Sequence, residues 1–263
     1  GPMSDRRTMP DPNLVDGSSP ARVAVTMTDL LARPGGPRDR QLIFGEEVTV
    51  LGGANGHSYV KATRDGYVGF VTADILEPSS APTHWVTAPA THAYEAANFI
   101  SPDLMPLSFG SRVVDIDTNA KFFETNKGFV PSQHLAPIES RAEDPLEIAT
   151  LFLGTPYLWG GNSRWGLDCS GLVQAALLAC GIPCPGDSDQ QMEMVGHALQ
   201  DGAEKRRGDL LFWKGHVAFV IDHETMLHAN VHHMSVAYEN LTEAIERIEA
   251  QGDGPVIGHR RFL

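Results

Sequence analysis

The sequence predicts a multidomain fold in which two small all-β barrels precede an α+β domain, and three observations carry this prediction. From Ala21 onward, short apolar runs bounded by turn residues recur about every 8–12 residues, a spacing typical of small all-β structure. One sequence unit occurs twice within this region. After Pro137 the pattern changes to helical spacing followed by strand-like runs, which favours an α+β domain. A chain of 263 residues has room for about two domains, or three if some are small.

Composition sets the predicted domain boundaries. Pro, Gly and Ser are frequent before residue 20, as in a tail or an arm lying across a surface. A second Pro/Ser-rich stretch, 77–82, separates the two barrels. We therefore predict an N-terminal tail over 1–20, a first barrel over 21–79, a second barrel over 80–139 and an α+β domain over 140–263.

The repeated unit is marked by two pairs of matching segments. Leu42–Val50 matches Leu107–Asp115, and both are strand-like with an internal Gly. Gly69–Leu76 matches Gly128–Leu135. This pattern resembles tandem bacterial SH3-like barrels, which often bind cell-wall peptides. Barrels of about 60 residues bury little surface alone, so we expect them to pack on each other or on the third domain.

Charge and hydropathy exclude several classes of partner. Thirty-three acidic and twenty basic side chains give a net charge of −13, which repels phosphate backbones and anionic lipid. We therefore expect no nucleic acid, no membrane and no obligate protein partner. No apolar run approaches the roughly 18–20 residues that a membrane span needs. Since no apolar signal core follows Met3, we expect a cytoplasmic location.

Local signals predict the elements of the third domain. Asp144 and Pro145 are the cap and first-turn residue of a helix. A second helix should begin at Asp168 and run to about Ala179, with Gly181 ending it. Three strands are then predicted, over 209–213, 217–221 and 225–228.

One cysteine has the setting of a nucleophile. Cys169 directly follows the predicted cap Asp168, so it falls in the first helical turn, where N–H groups and the helix dipole favour an anion. Such a position lowers the pKa of a thiol and favours the thiolate near neutral pH. Three cysteines cannot all pair, and we interpret Cys180 and Cys184 as structural.

Two histidines complete a candidate catalytic set. His216 opens a strand, where its ring can face the start of a helix packed on the sheet, as a Cys–His pair requires. If the next strand is an antiparallel neighbour, His228 can lie beside His216 and hold its tautomer. No Cys or carboxylate stands at a convincing ligand interval around His228, His232 and His233, so we predict no metal and no cofactor.

Four blocks in this order resemble the NlpC family of papain-like cell-wall cysteine peptidases: Tyr157–Gly161, Asp168–Gly171, Gly208–Leu210 and His216–Ala218. With two preceding barrels, the resemblance narrows to enzymes of the dipeptidyl-peptidase VI type, which cleave γ-D-glutamyl bonds in murein peptides. It implies that Cys169 is the nucleophile, His216 the general base and acid, and His228 the orienting group. It also implies that the Tyr157 hydroxyl lies near the oxyanion.

The same resemblance implies how a peptide substrate is held. Four residues would hold its amino end: Asp39, Tyr67, Asp168 and Ser170. A free L-alanyl ammonium would be met there by carboxylates, so that a barrel wall closes one end of the cleft. Trp159 would line this cleft. Asp187 and Ser188 match a block near the D-glutamyl carboxylate, where relatives commonly carry arginine in place of Gly186.

The leading hypothesis is a cysteine peptidase that acts on murein-derived peptides of the L-Ala-γ-D-Glu-diaminopimelate type. It would release L-Ala-γ-D-Glu from peptides with a free N-terminal L-Ala during cell-wall peptide recycling, with diaminopimelate or lysine in the third position. Two alternatives stay open: a wall-peptide binding module whose catalytic domain is inactive, and an amidase or acyltransferase on the same scaffold.

Overall fold

The structure, a computed structural model, describes residues 4–118 and 121–263. Residues 1–3 of the predicted tail and residues 119–120 of the predicted second barrel lie outside the described ranges. The chain divides into two compact units, Gly1–Ser140 and Arg141–Leu263. A search of the described residues finds no helix long and apolar enough to cross a membrane.

The first unit begins with a seven-stranded sheet. Its strands are β1 (Ser19–Val23), β2 (Met27–Leu31), β3 (Arg38–Ile43), β4 (Glu47–Ala54), β5 (His57–Ala62), β6 (Val68–Thr72) and β7 (Leu76–Pro78). Their spatial order is β3-β2-β6-β5-β4-β1-β7, and the neighbouring strands are antiparallel. Alternate side chains along these strands enter one apolar core, which includes Val23, Leu30, Leu42, Val48, Val60 and Val71.

Two smaller sheets follow in the same unit. Their strands are β8 (His84–Val86), β9 (Ala90–Tyr94), β10 (Asp103–Ser108), β11 (Arg112–Val113), β12 (Asp115–Thr118), β13 (Phe122–Thr125), β14 (Gly128–Pro131) and β15 (Leu135–Pro137). Five of them form a sheet in the order β10-β9-β14-β13-β12, and the other three form a sheet in the order β11-β8-β15.

The sequence repeat is confirmed as a repeat of elements. Gly45 and Gly110 have φ of 79° and 88°, and each forms the turn between two strands of its own copy. A side chain is disfavoured at such φ, which explains the internal Gly of both copies. In each copy the second matching segment is a strand, a 3₁₀ turn and a short strand: β6, Ala73–Ile75 and β7, and then β14, Ser132–His134 and β15.

The two copies pack on each other, as expected from their size. Phe44 of the first copy is buried in the core of the second, among residues that include Val86 and Val113. The backbone N–H of Arg112 donates to the carbonyl of Phe44 at 3.0 Å. A Cβ at Gly45 would lie only 2.0 Å from the Arg112 carbonyl oxygen, so this contact also requires glycine.

The N-terminal segment lies along the first sheet as an arm. The backbone N–H of Val68 donates to the carbonyl of Arg7 at 2.7 Å, and the N–H of Asp11 donates to the Tyr59 hydroxyl at 2.9 Å. The N–H groups of Asp16 and Gly17 both reach the carbonyl of Leu51. These bonds attach the described part of the predicted tail to the barrel.

The second unit combines four α-helices with a six-stranded sheet and a two-stranded hairpin. The helices are α1 (Pro145–Thr150), α2 (Cys169–Ala179), α3 (Ser188–Met194) and α4 (Leu241–Ile248), the last continued by a π-helical turn over Glu249–Asp253. The strands are β16 (Asn162–Ser163), β17 (Gly166–Leu167), β18 (His197–Ala198), β19 (Leu210–Trp213), β20 (His216–Val220), β21 (Thr225–Asn230), β22 (Ser235–Asn240) and β23 (Gly258–Arg261). β16 and β17 form a separate hairpin, and the main sheet has the order β18-β23-β19-β20-β21-β22.

The helices and strands predicted in this unit are confirmed. The Asp144 side chain caps α1 through the N–H of Leu146, with Pro145 as the first residue. Asp168 caps α2, which ends at Ala179 before Gly181, whose φ is 75°. The predicted strands correspond to β19, β20 and β21. One face of the sheet is covered by α4, through a core that includes Leu211, Ala218, Met226, Leu241, Ala244 and Ile248.

Candidate active site

Cys169 is the first residue of α2 and lies beside the turn that leads to His216. Its Sγ is 3.9 Å from the carbonyl oxygen of Gly215. The turn joins β19 to β20, and Gly215 has a φ of 75°. Only 6% of Cys169 is exposed. The structure thus places the predicted nucleophile at a helix start and beside Gly215, the residue that precedes the predicted base His216.

The buried carboxylate of Asp168 holds the backbone around Cys169. Its Oδ1 accepts the N–H of Gly171 at 2.8 Å, and its Oδ2 accepts the N–H of Gly160 at 3.0 Å. The hydroxyl of Ser170 also donates to Oδ1, at 3.3 Å. Asp168 therefore ties the start of α2 to the Gly160 loop.

His216 and His228 are brought into direct contact. Nε2 of His216 lies 2.8 Å from Nδ1 of His228. The prediction that their strands are antiparallel neighbours is confirmed by the pairing of Phe219 with Leu227 in β20 and β21. This register sets the two histidines diagonally across from each other, where long side chains can meet. The contact uses Nε2 of His216, so a role of this ring toward the thiol, which stays a prediction, would fall to Nδ1.

Two further side chains, neither of them predicted from the sequence, extend this contact. Nε2 of His228 lies 2.9 Å from Oε1 of Glu239 on β22. Arg247 on α4 donates from Nε to Oε2 of Glu239 at 3.0 Å and from Nη2 to Oε1 at 2.9 Å. Since His228 pairs with Ala237, Glu239 stands two residues further along the same face. A prediction of the β21–β22 hairpin register could have found Glu239.

Burial and hydrogen bonding set the charges of this group. Burial, with a smaller contribution from His228, lowers the pKa of His216 to about 3. Burial also lowers the pKa of His228, and its hydrogen bond to Glu239 offsets part of this effect. Burial alone would raise the pKa of Glu239, but the hydrogen bonds from His228 and Arg247 outweigh it and lower this pKa to about 2. At neutral pH the two histidines are neutral and Glu239 is ionised.

Tyr157 and Trp159 lie on the segment that borders this group. The backbone N–H of Tyr157 donates to the carbonyl of Met234 in the β21–β22 turn at 2.9 Å, and Tyr157 bridges Leu167 just before Cys169. Tyr157 is half-buried. Trp159 is 69% exposed, as a side chain available to a ligand would be.

Ser170, Asp187 and Ser188 lie around the first turns of α2 and α3. The carbonyl of Ser170 accepts a hydrogen bond from the Gln191 side chain at 3.0 Å. Asp187 is the N-cap of α3, in a capping box with Gln190, and Ser188 is the first residue of that helix. Their contacts fit helix capping, and their role toward substrate stays a prediction.

Asp39 and Tyr67 belong to the first unit. Asp39 on β3 receives both terminal nitrogens of Arg6, with Nη1 at 2.6 Å from Oδ2 and Nη2 at 3.1 Å from Oδ1. The hydrogen bond to Asp39 and the charge of that carboxylate raise the pKa of Arg6 against the effect of burial, and Tyr67 lies near the same guanidinium. Tyr67 is 2% exposed. The two residues are neighbours around Arg6, and their predicted role at the amino end of a substrate stays a prediction.

Among the described residues, one group has the spacing of metal ligands. The donor atoms of His228, His233 and Glu239 lie within 4.8 Å of one another. Glu239 is a carboxylate beside these histidines that was not predicted from the sequence. Glu239 is already held by Arg247, whose charge opposes a bound cation. The predicted lack of a metal and of a cofactor stays a prediction.

All three cysteines are free thiols. Burial, together with the charge of Asp144, raises the pKa of Cys180 to about 11. Cys184 is buried. Neither has the helix-start position of Cys169.

Comparison with known families agrees with this geometry. Residues 154–249 match the model of the NlpC/P60 family, and residues 30–76 match the bacterial dipeptidyl-peptidase SH3 domain. A γ-D-glutamyl-L-lysine dipeptidyl-peptidase of Bacillus subtilis (strain 168) is 30% identical over 235 residues, which cover 78% of this chain and 76% of the relative. Dipeptidyl-peptidase 6 of Lysinibacillus sphaericus is 33% identical over 126 residues, or 44% of this chain and 45% of the relative.

A solved structure supports the fold over nearly the whole chain. The crystal structure of an NlpC/P60 family protein from Bacillus cereus ATCC 10987 covers 93% of this chain and 100% of its own, with a TM-score of 0.76 and 22% sequence identity. At this identity the likeness concerns the fold. Together with the relative in Bacillus subtilis, the two matching models identify the protein: it belongs to the NlpC/P60 family and is a cysteine peptidase with a bacterial dipeptidyl-peptidase SH3 domain.

Proposed function

We propose that this peptidase hydrolyses the bond between γ-D-glutamate and an L-diamino acid in murein peptides with a free N-terminal L-Ala. The products are L-Ala-γ-D-Glu and the peptide beginning with diaminopimelate or lysine. The reaction would serve recycling of cell-wall peptides in the cytoplasm. The name of the Bacillus subtilis relative supports the bond and the type of third residue.

One observation carries the catalytic part of this proposal. Cys169 lies at the start of α2 with its Sγ 3.9 Å from the carbonyl oxygen of Gly215, and the next residue, His216, is hydrogen-bonded to His228. The predicted nucleophile thus lies beside the turn that leads to the predicted base, and the base contacts its predicted orienting group, which supports nucleophilic catalysis.

The first half of the reaction forms a thioester. Neutral His216 accepts the thiol proton of Cys169 at Nδ1, and the sulfur attacks the γ-carbonyl carbon of D-glutamate. Imidazolium at His216 then donates its Nδ1 proton to the nitrogen of the diamino acid as the C–N bond breaks. We assign oxyanion stabilisation to the Tyr157 hydroxyl and to the backbone N–H of Cys169.

The second half of the reaction restores the enzyme. A water molecule gives a proton to Nδ1 of His216 and attacks the thioester carbon. The C–S bond breaks, and His216 returns the proton to the sulfur of Cys169. L-Ala-γ-D-Glu leaves with a free γ-carboxyl group, so atoms and charges balance without a metal or an organic cofactor.

Recognition of the substrate rests on charge. Asp39, Tyr67, Asp168 and Ser170 are proposed to receive the L-alanyl ammonium. Asp187 and Ser188 are proposed to lie near the D-glutamyl carboxylate, and Trp159 to contact the peptide.

The test is product identification with L-Ala-γ-D-Glu-diaminopimelate and its lysine counterpart. The parent protein should release L-Ala-γ-D-Glu, and Cys169→Ala should release none. Cys180→Ala is the matched control, because burial raises the pKa of that thiol to about 11. Release by Cys169→Ala at the rate of the parent would refute the proposal.

A binding module with an inactive catalytic domain is the first alternative. An activated thiol distinguishes the two, since a module without catalysis does not require one. Iodoacetamide at about pH 6 should label Cys169 faster than Cys180. Equal labelling, with no product from either tripeptide, would favour the binding module.

An amidase or acyltransferase on the same scaffold is the second alternative. N-acetylated tripeptide should be a poor substrate if the enzyme recognises a free ammonium. Equal cleavage of the acetylated and free peptides would remove the proposed role of Asp39, Tyr67 and Asp168 at the amino end.

A further inference from the structure

A line of four hydrogen-bonded side chains runs from the catalytic base to α4. It joins His216 to His228 at 2.8 Å, His228 to Glu239 at 2.9 Å, and Glu239 to Arg247 at 2.9 and 3.0 Å. The side chain of His228 has no exposed surface, and that of Glu239 is 12% exposed. Water therefore has little access to the middle of the line, where electrostatic interactions are stronger than in solvent.

The charge of Glu239 determines which nitrogens in the line carry protons. An ionised carboxylate only accepts hydrogen bonds, so Nε2 of His228 must be the donor. Neutral His228 then has its lone pair on Nδ1, and Nε2 of His216 must donate to it. Neutral His216 is left with its lone pair on Nδ1. This is the tautomer that can accept the thiol proton of Cys169.

We propose that Glu239 is a positioning residue of the peptidase, which sets the tautomers of His216 and His228 and stabilises the imidazolium that forms on His216. The inference rests on the proposed function, in which His216 is the base, and it makes the action of this base depend on Glu239. No proton needs to move along the line. Nε2 of His216 keeps its proton throughout, and the negative charge of Glu239 acts through the His228 ring.

Charged and titratable groups from three elements face Glu239. His228 approaches from β21, Arg247 from α4, and His233 from the turn between β21 and β22. Arg247 holds both carboxylate oxygens, so Glu239 keeps one orientation and its charge. Nη1 of Arg247 also donates to Oε1 of Gln251 at 3.4 Å, which helps to hold the guanidinium in place.

The test compares Glu239→Ala and Glu239→Gln with a matched control. Glu224→Gln makes the same chemical change in the loop after β20, where the side chain is 73% exposed. For Glu239→Ala we expect kcat on the tripeptide to fall about 10- to 100-fold with KM within about twofold, the size typical of residues that orient a catalytic group. Glu239→Gln should fall between Ala and the parent, because its amide oxygen can still accept from His228 while the charge is lost.

A second measurement separates positioning from a general loss of structure. NMR of isotope-labelled histidine ring nitrogens should find His216 protonated at Nε2 in the parent and in Glu224→Gln. The Glu239→Ala variant should show a mixture of tautomers at His216. Thermal unfolding checks that each variant is folded. If Glu239→Ala does not fold, the NMR comparison is made with Glu239→Gln.

Two outcomes would overturn the inference: unchanged His216 tautomers in the folded variants, or kcat within about twofold of the parent. The NMR measurement needs no substrate, so it stands apart from the proposed function. Failure of the proposed function would instead show as a parent protein that releases no L-Ala-γ-D-Glu.

Discussion

The carboxylate of Asp39 is already occupied by the guanidinium of Arg6, through hydrogen bonds of 2.6 and 3.1 Å. Arg6 thus binds the carboxylate that is proposed to receive the ammonium of the substrate. Arg6 is 58% exposed, so solvent and salt weaken the pair and a ligand can compete with it.

Arg6→Ala should therefore lower KM for the free-amine tripeptide. An exposed ion pair is worth about 0.2–1 kcal/mol, which corresponds to a decrease of KM by at most about fivefold. Arg7→Ala is the matched control, because Arg7 pairs with Asp5. Steady-state kinetics of both variants would check this, and an unchanged KM in Arg6→Ala would mean that Asp39 does not receive the ammonium.

Asp168→Ala should destabilise the second unit. The change removes the N-cap of α2 and the acceptor of the Gly160 N–H, and the loss of a cap alone costs about 0.5–2 kcal/mol. Asp168→Asn keeps one acceptor oxygen and should lose less. Urea unfolding measures both losses, and a smaller loss for Ala than for Asn would contradict this account.

The same two variants separate capping from recognition of substrate. If Asp168 also meets the L-alanyl ammonium, Asp168→Asn should lose part of its preference for free over acetylated tripeptide. A preference equal to that of the parent would confine Asp168 to its structural contacts.

Asp209→Ala should destabilise the sheet at β23, which lies between β18 and β19. The Asp209 carboxylate has no exposed surface and accepts Nε of Arg261 at 2.7 Å and Nε2 of His259 at 2.5 Å. Removing it leaves both partners without this acceptor, so the free energy of unfolding should fall. The denaturation midpoint should fall accordingly, while kcat of the remaining folded protein should stay within about twofold. A large fall in kcat at full stability would assign Asp209 a role in the reaction.

Stability should decrease as the pH falls. Histidine in the unfolded chain binds a proton near pH 6.5, whereas His216 in the folded protein does so only near pH 3, so protons favour the unfolded state between these values. His228 acts in the same direction. The folded pKa of Glu239 is about 2 against an ordinary 4.5, which adds a further loss below about pH 4.5. Each of these groups contributes its full stabilisation of the folded protein at pH values above its ordinary pKa.

Urea midpoints between about pH 7.5 and about pH 4 would measure this dependence. His216→Asn should show a smaller change over the same range, because one of the groups with a lowered pKa is gone. Equal slopes in the parent and in His216→Asn would contradict the assigned cause.

Local signals explain which elements could be predicted. The start of α2 follows from Asp168, whose side chain reaches an N–H only three residues away. The repeated turns follow from Gly45 and Gly110, because the positive φ at each is a property of the residue itself. His216 and His228 could be paired because each lies on a recognisable strand of one antiparallel hairpin.

Other contacts could not be predicted because their energy depends on position in space. In the sequence Glu239 is one of 33 acidic residues, and no local pattern distinguishes it. Only the register of β22 places it beside His228. Arg6 lies in a segment rich in turn residues, 33 positions before Asp39, and the approach of the arm decides that they meet.

The sequence by itself determined the caps, the glycine turns, the repeat and the placement of Cys169 at a helix start, since interactions over a few residues produce each of them. Only the tertiary structure decided that His216, His228, Glu239 and Arg247 form one line, because that requires the register of three strands and the packing of α4 on the sheet. Strand register and helix packing bring these donors and acceptors within bonding distance, and no pattern along the chain encodes that distance.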